Sequence, residues 1–225
     1  PPRSTLFPYT TLFRSASAAR TGKSLGGRQT AEAGGGGPVL LNPIQSGAVE
    51  NQAADLLKVT NVNHFFPWLD GSWIRVGTLS DSVDRVSGVA GDGFKGIKES
   101  QNTGDLPPDS KILVLQEYTG LDASDEGRAM MEHIYDIAPG VRRLGFATAF
   151  LGEASFAANI ANLAANGMDI INDDVLYASE PMYQDGVIAE AVKTFVYAGG
   201  IYFAPNGNYG NYSYEGIWSD PQGDN

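Results

Sequence analysis

Cysteine is absent from all 225 residues, which excludes a disulfide scaffold, a cysteine nucleophile and thiolate metal sites. Histidine is nearly as scarce: only His64 and His133 occur, so any imidazole chemistry rests on those two. Basic residues are few. The 15 Lys and Arg stand against 26 Asp and Glu, net −11, and a surface of that sign repels nucleic acid and anionic membranes. No apolar run approaches the roughly 20 residues of a membrane-spanning helix. Neither nucleic acid nor membrane is therefore an expected partner. Hydrophobic residues make up 42% of the chain, enough for one domain with a buried core and too many for a disordered polypeptide.

The first fifteen residues, PPRSTLFPYTTLFRS, fit no signal peptide or helix and repeat themselves as TLFPYT and TTLFRS. Over their whole length they resemble the in-frame translation of a short-read sequencing adapter, and they are set aside from fold reasoning. They carry Arg3 and Arg14 and no acid, so the remainder is more acidic still. Residues 16–46 are rich in Ala, Gly and Ser and contain the run Gly34–Gly37; they read as a flexible leader or pro-region remnant. Residues 47–225 form the expected domain.

Within that domain a helical pattern runs over about Ala48–Thr60, with Ala53, Leu56 and Leu57 as its apolar stripe. Short apolar runs then alternate with amphipathic stretches. Strands are predicted at Trp73–Leu79, Lys111–Tyr118, Arg143–Phe150, Met168–Val175 and Ile201–Ala204, and helices at Glu126–Ile137, Glu153–Asn166 and Asp185–Ala198. The helices rest on spacing: Met130, His133, Ile134 and Ile137 recur at i, i+3, i+4 and i+7, and Phe156, Ile160 and Leu163 at i, i+4 and i+7. Gly167 and Gly199 follow as C-terminal stops. This rhythm predicts an α/β fold in three layers, a mostly parallel sheet with helices on both faces. The nearly continuous apolar run Ile201–Ala204 suits a strand buried on both sides.

Ligand sites in such sheets lie beyond the carboxyl ends of the strands. Asp81, the pair Asp125-Glu126, and Asn206–Asn208 all fall there. Each admits two readings. Asp81 either caps backbone amides at a strand-ending turn or serves as a rigidly held carboxylate. Asp125 and Glu126 either complement the helix macrodipole or carry chemistry. An asparagine in Asn206-Gly207-Asn208 either belongs to a turn or aims its amide at a developing oxyanion. His133, on the apolar stripe, is expected to be a packed core residue. Asp122, Asp125 and Glu126 lack the ligand spacing of a calcium loop, so calcium is possible but not predicted, and no other metal or cofactor is expected. Gly91-Asp92-Gly93 matches no phosphate-binding pattern.

In order along the chain, Val76-Gly77-Thr78-Leu79-Ser80-Asp81-Ser82, Asp125-Glu126-Gly127-Arg128-Ala129-Met130, Ile137-Ala138-Pro139-Gly140, Met168–Asp174 and Tyr202–Gly210 resemble the subtilisin-like and sedolisin-like serine peptidases. The resemblance spans about Gly71–Gly210 and implies a subtilisin-like sheet. By position, it implies that Asp81 is the triad aspartate and Glu126 replaces the histidine base of a His-Gly-Thr motif. Asn208 then matches the oxyanion-hole asparagine, and Asp173 and Asp174 fall on the strand segment that binds substrate. Two departures stand out. Sedolisin-like enzymes place their aspartate one turn after the glutamate, where this chain has Met130, so Asp81 is the expected partner. No Gly-Thr-Ser nucleophile motif occurs, and the sequence ends 17 residues after Asn208.

The implied protein is the N-terminal part of a secreted serine-type endopeptidase acting on protein or peptide substrates. The domain is expected to be C-terminally truncated, inactive as it stands, with its serine encoded downstream. A catalytically inactive binding module of the same fold is the alternative. A free Glu, of pKa roughly 4.3, is a poor base for a hydroxyl. Two carboxyls at one site raise one macroscopic pKa and hold one proton between them, which predicts activity best in acid.

Overall fold

A computed structural model describes residues 47–48, 51, 53–86, 96–181 and 183–208. The adapter-like segment, the leader and Gly91-Asp92-Gly93 lie outside them. Among the described residues five strands form one sheet: β1 (Arg75–Ser80), β2 (Ile112–Gln116), β3 (Arg143–Thr148), β4 (Ile170–Asp173) and β5 (Ile201–Phe203). Their order is β2-β3-β1-β4-β5, and every pairing is parallel. The strands are short and apolar because parallel strands joined by helical crossovers are covered on both faces. The expected three-layer α/β architecture is the one observed.

The helices are α1 (Ala53–Leu56), α2 (Val59–Phe65), α3 (Gly96–Thr103), α4 (Glu126–Ile137), α5 (Glu153–Ala165) and α6 (Val187–Tyr197). Side chains alternate across the sheet with the strand period of two. Val76, Leu144 and Phe146 join Met131 of α4 and Val141 in one cluster. Leu79, Ala147 and Ile171 join Phe156, Ile160 and Leu163 of α5 and Phe195 of α6 in the other. The i, i+4, i+7 stripe of α5 is therefore core, as its spacing predicts.

Gly167 (φ +79°) and Gly199 (φ +98°) end α5 and α6 in the left-handed region. At the first, Met168 N–H donates to Leu163 O (3.2 Å) and Gly167 N–H to Ala164 O (2.8 Å). The second repeats this, with Gly200 N–H to Phe195 O and Gly199 N–H to Val196 O. This double closure satisfies helix-end carbonyls and needs a residue without a Cβ. A Cβ at Gly199 would meet nothing within 4 Å. Gly199→Ala is thus expected to lower stability by about 1–2 kcal/mol through backbone strain alone, measured by urea denaturation.

Several expectations change. The pattern at Ala48–Thr60 becomes two short helices, broken where Lys58 takes φ 61°. Leu56 and Leu57 of its predicted stripe are exposed, whereas Ala54 is buried. Helix α3 and a 3-10 turn at Asp109–Lys111 are additions, since neither carries a long apolar period. Among the described residues β5 lies last in the strand order with Ile201 and Phe203 exposed, where burial on both sides was expected. His133 is exposed, not packed in the core. Helix α4 instead buries Gly127, Met131 and Asp136, a stripe rotated away from the one the apolar residues trace. Among the described residues, no helix is long and apolar enough to cross a membrane.

Candidate active site

Helix α4 owes its position to a distant carboxylate. Its N-cap residue, Asp125, has φ 58° and caps nothing with its own side chain. Asp81, one residue beyond β1, does this instead. Its Oδ1 accepts from Ser82 N–H (2.5 Å) and Glu126 N–H (3.0 Å), and its Oδ2 from Ser124 N–H (2.5 Å) and Ser124 Oγ (2.7 Å). A negative group at a helix N-terminus meets unpaired amides and the positive end of the macrodipole. The strand is thereby joined to the helix that carries Glu126.

Asp125 is free to hold the next loop. Its carboxylate accepts from Arg85 N–H (2.8 Å), Val86 N–H (3.0 Å) and Ser82 Oγ (3.0 Å), and it pairs with Arg128 Nε at 3.3 Å. Glu117, after β2, accepts from the amides of Val83, Asp84 and Tyr118; burial raises its pKa above the usual range. Gly127 allows the close approach of α4 to the sheet. A Cβ there would lie 2.4 Å from Phe146 Cε2 and 2.8 Å from Ser82 O.

The cleft itself has a volume of about 300 Å³. Glu126 and Met130 of α4, Asp174 after β4, and Pro205–Asn208 after β5 line it. The chain leaves β1 toward β2 and leaves neighbouring β4 toward β5, so this is a topological switch point, where such sheets open a crevice.

Acidity dominates its electrostatics. Burial, then the Asp81 charge, pushes the Glu126 carboxyl up to about 7. Burial, followed by the charge of Glu126, pushes Asp174 up to about 8, against a hydrogen bond from Ser80 Oγ (2.8 Å) that favours its ionised form. Asp173 rises to about 6, chiefly by burial, although the Tyr202 hydroxyl and Val175 N–H favour its charge. Burial and the Asp173 charge drive Tyr202 higher still.

Of the residues singled out by sequence, Asp81, Glu126, Asp174 and Asn208 come together at one edge of the sheet. Asn208 is exposed at the rim of the cleft. Asp173 does not line it. Its side chain is buried, with Val175 N–H donating to Oδ1 at 3.0 Å. The approach of Asp174 to Glu126 emerges only on folding. The sequence does carry a signal for it: Asp174 follows the carboxyl end of β4 just as Asp81 follows that of β1. Among the described residues, no group of three His, Asp or Glu side chains is arranged to hold a metal ion.

No family model and no curated protein sequence matches the chain. Among solved structures it is similar to the PatG macrocyclase in complex with peptide, at 14% identity and a TM-score of 0.39. That alignment covers 74% of this chain and 60% of the PatG chain, so the chain spans less than two thirds of that structure's length.

Proposed function

We propose that the cleft is the base and oxyanion side of a serine-type peptidase site. The observation that carries this reading is Glu126. It is a half-buried carboxylate at the head of a helix, raised to about 7, in a cleft rimmed by the Asn208 amide. A base with a pKa near the working pH combines ionisation with proton affinity, which an ordinary glutamate does not. In this scheme a serine hydroxyl from outside the described residues attacks a peptide carbonyl, Glu126 takes its proton, and Asn208 donates to the oxyanion. The protein would be a secreted endopeptidase needing no cofactor. Because burial raises both cleft carboxyls, the one-proton form lies near neutral pH, not in the acid range that two sharing carboxyls alone suggest.

The test is digestion of labelled casein by the full-length natural protein between about pH 4 and 9. Glu126→Gln is expected to reduce kcat/KM by at least about 100-fold, as loss of a general base does. Proteolysis left intact by that change overturns the assignment. A second reading, a non-catalytic binding module of the same fold, draws on the hydrogen bonding of Asp81, which is that of a helix cap. It predicts peptide binding without hydrolysis, and binding indifferent to Glu126→Gln.

A further inference from the structure

Asp81 has little left to offer Glu126. A carboxylate provides about four acceptor positions, and Asp81 fills them with two amides on Oδ1 and an amide and a hydroxyl on Oδ2. All four donors lie in the loop after β1 or at the head of α4. What it contacts of Glu126 is the backbone amide.

Asp174 differs on each count. It lines the same cleft as Glu126. One oxygen, Oδ2, is held by the Ser80 hydroxyl at 2.8 Å. The other, Oδ1, is buried and has no hydrogen-bond partner among the described residues. A buried carboxylate oxygen in that state is costly unless it carries a proton or meets a donor. We infer that Asp174, and not Asp81, is the acid that shares a proton with Glu126 and so acts as the positioning residue for the base of the site.

This deepens the peptidase reading and rests on Glu126 being its base. The groups whose charges bear on the pair are Asp81 from the end of β1 and Asp173 from β4, both acids, while Tyr202 of β5 faces Asp173. The nearby cation, Arg128, is engaged with Glu99, Asp125 and Glu132. Nothing positive among the described residues therefore offsets the repulsion, and holding one proton between the two carboxyls is the way to relieve it. Asp174 Oδ1, buried and without a hydrogen-bond partner among the described residues, is the oxygen that calls for that proton. Placed there, the proton stands in the cleft that Glu126 also lines. When a serine oxygen bonds to the peptide carbonyl carbon, its proton passes to Glu126, and both carboxyls are then neutral. As the carbon–nitrogen bond breaks, one proton goes to the leaving amine and the one-proton pair is restored.

Carbon-detected NMR titration of the side-chain carboxyls in the full chain tests this without any catalysis. Interacting sites titrate in macroscopic steps shared by both. Glu126 Cδ and Asp174 Cγ are each expected to report the same two steps, near pH 7 and near pH 8. In Asp174→Asn, Glu126 should show a single step. In Asp81→Asn it should keep two, with both displaced downward. A single Glu126 step in the unsubstituted protein overturns the inference, as does a Glu126 curve that Asp174→Asn leaves unchanged. The unsubstituted protein suffices for the first criterion, so a variant that fails to fold does not remove the test. Failure here is separable from failure of the peptidase reading. Two shared steps together with proteolysis unaffected by Glu126→Gln would retain the pair and discard the function.

Discussion

Asp174→Asn is expected to make the fold more stable at about pH 9 by about 2–4 kcal/mol and to change it little at about pH 4. The Asp174 carboxyl ionises with a value of 3.8 when unperturbed and about 8 in the fold, burial being the main cause. Below the lower value the group is protonated in both states and contributes nothing to the pH dependence. Between the two values the unfolded chain releases the proton while the fold retains it, so stability falls as pH rises. Above the upper value the fold carries the full cost of a buried charge beside Glu126 and Asp81. Every tenfold gain in the proton affinity of the folded state is worth about 1.4 kcal/mol. Water reaching the partly open cleft keeps the total below the simple product. Asparagine keeps an oxygen for the Ser80 hydroxyl and removes the charge, so the difference between the two proteins reads this group together with its coupling to Glu126. Urea denaturation at both pH values measures it. Equal stability differences at the two would show that Asp174 is ordinarily solvated and its carboxyl unperturbed.

The second large effect lies beneath the cleft. Phe146 of β3 is fully buried, packed in the cluster with Val76, Met131, Val141 and Leu144. Its ring edge fills the space that the missing Cβ of Gly127 leaves open. Phe146→Ala is expected to destabilise the protein by about 3–5 kcal/mol, the usual loss for a buried aromatic ring replaced by a cavity. That is a large share of the roughly 5–15 kcal/mol that holds a domain together. The cavity opens under the first turn of α4, so the amide resonances of Ser124 and Glu126 should shift as well. Thermal or urea unfolding gives the first quantity and a heteronuclear NMR spectrum the second. A loss below about 1 kcal/mol would mean that the first turn of α4 does not rest on this ring.

Where local spacing governs, the sequence is a good guide. Helix α4 begins and ends at the predicted residues, and the α5 stripe of Phe156, Ile160 and Leu163 is buried as its period requires. Gly167 and Gly199 stop their helices because left-handed backbone is easiest for a residue with no side chain. Burial is less legible. The apolar stripe of α4 suggests that His133 points inward, yet the helix seats itself through Gly127, where a missing side chain permits contact. Ile201–Ala204 is as apolar as a central strand, and among the described residues β5 nonetheless lies last in the strand order.

For the site, position along the chain identifies the edge at which Asp81, Glu126, Asp174 and Asn208 gather, because strand ends in a parallel sheet share one side. It does not reveal which acid faces which. Asp81 and Asp174 look alike in sequence, each an aspartate just past an apolar strand. Only the packing of α4 over β1 gives the first four donors and leaves an oxygen of the second with none among the described residues. The α/β rhythm, the helix limits and the set of chemically capable residues are written in the chain, since side-chain period and backbone sterics over a few neighbours fix them. Strand order, the faces that are covered and the protonation of the carboxyls arise only on folding. They depend on desolvation and on charges brought close from distant parts of the chain, which no local pattern encodes.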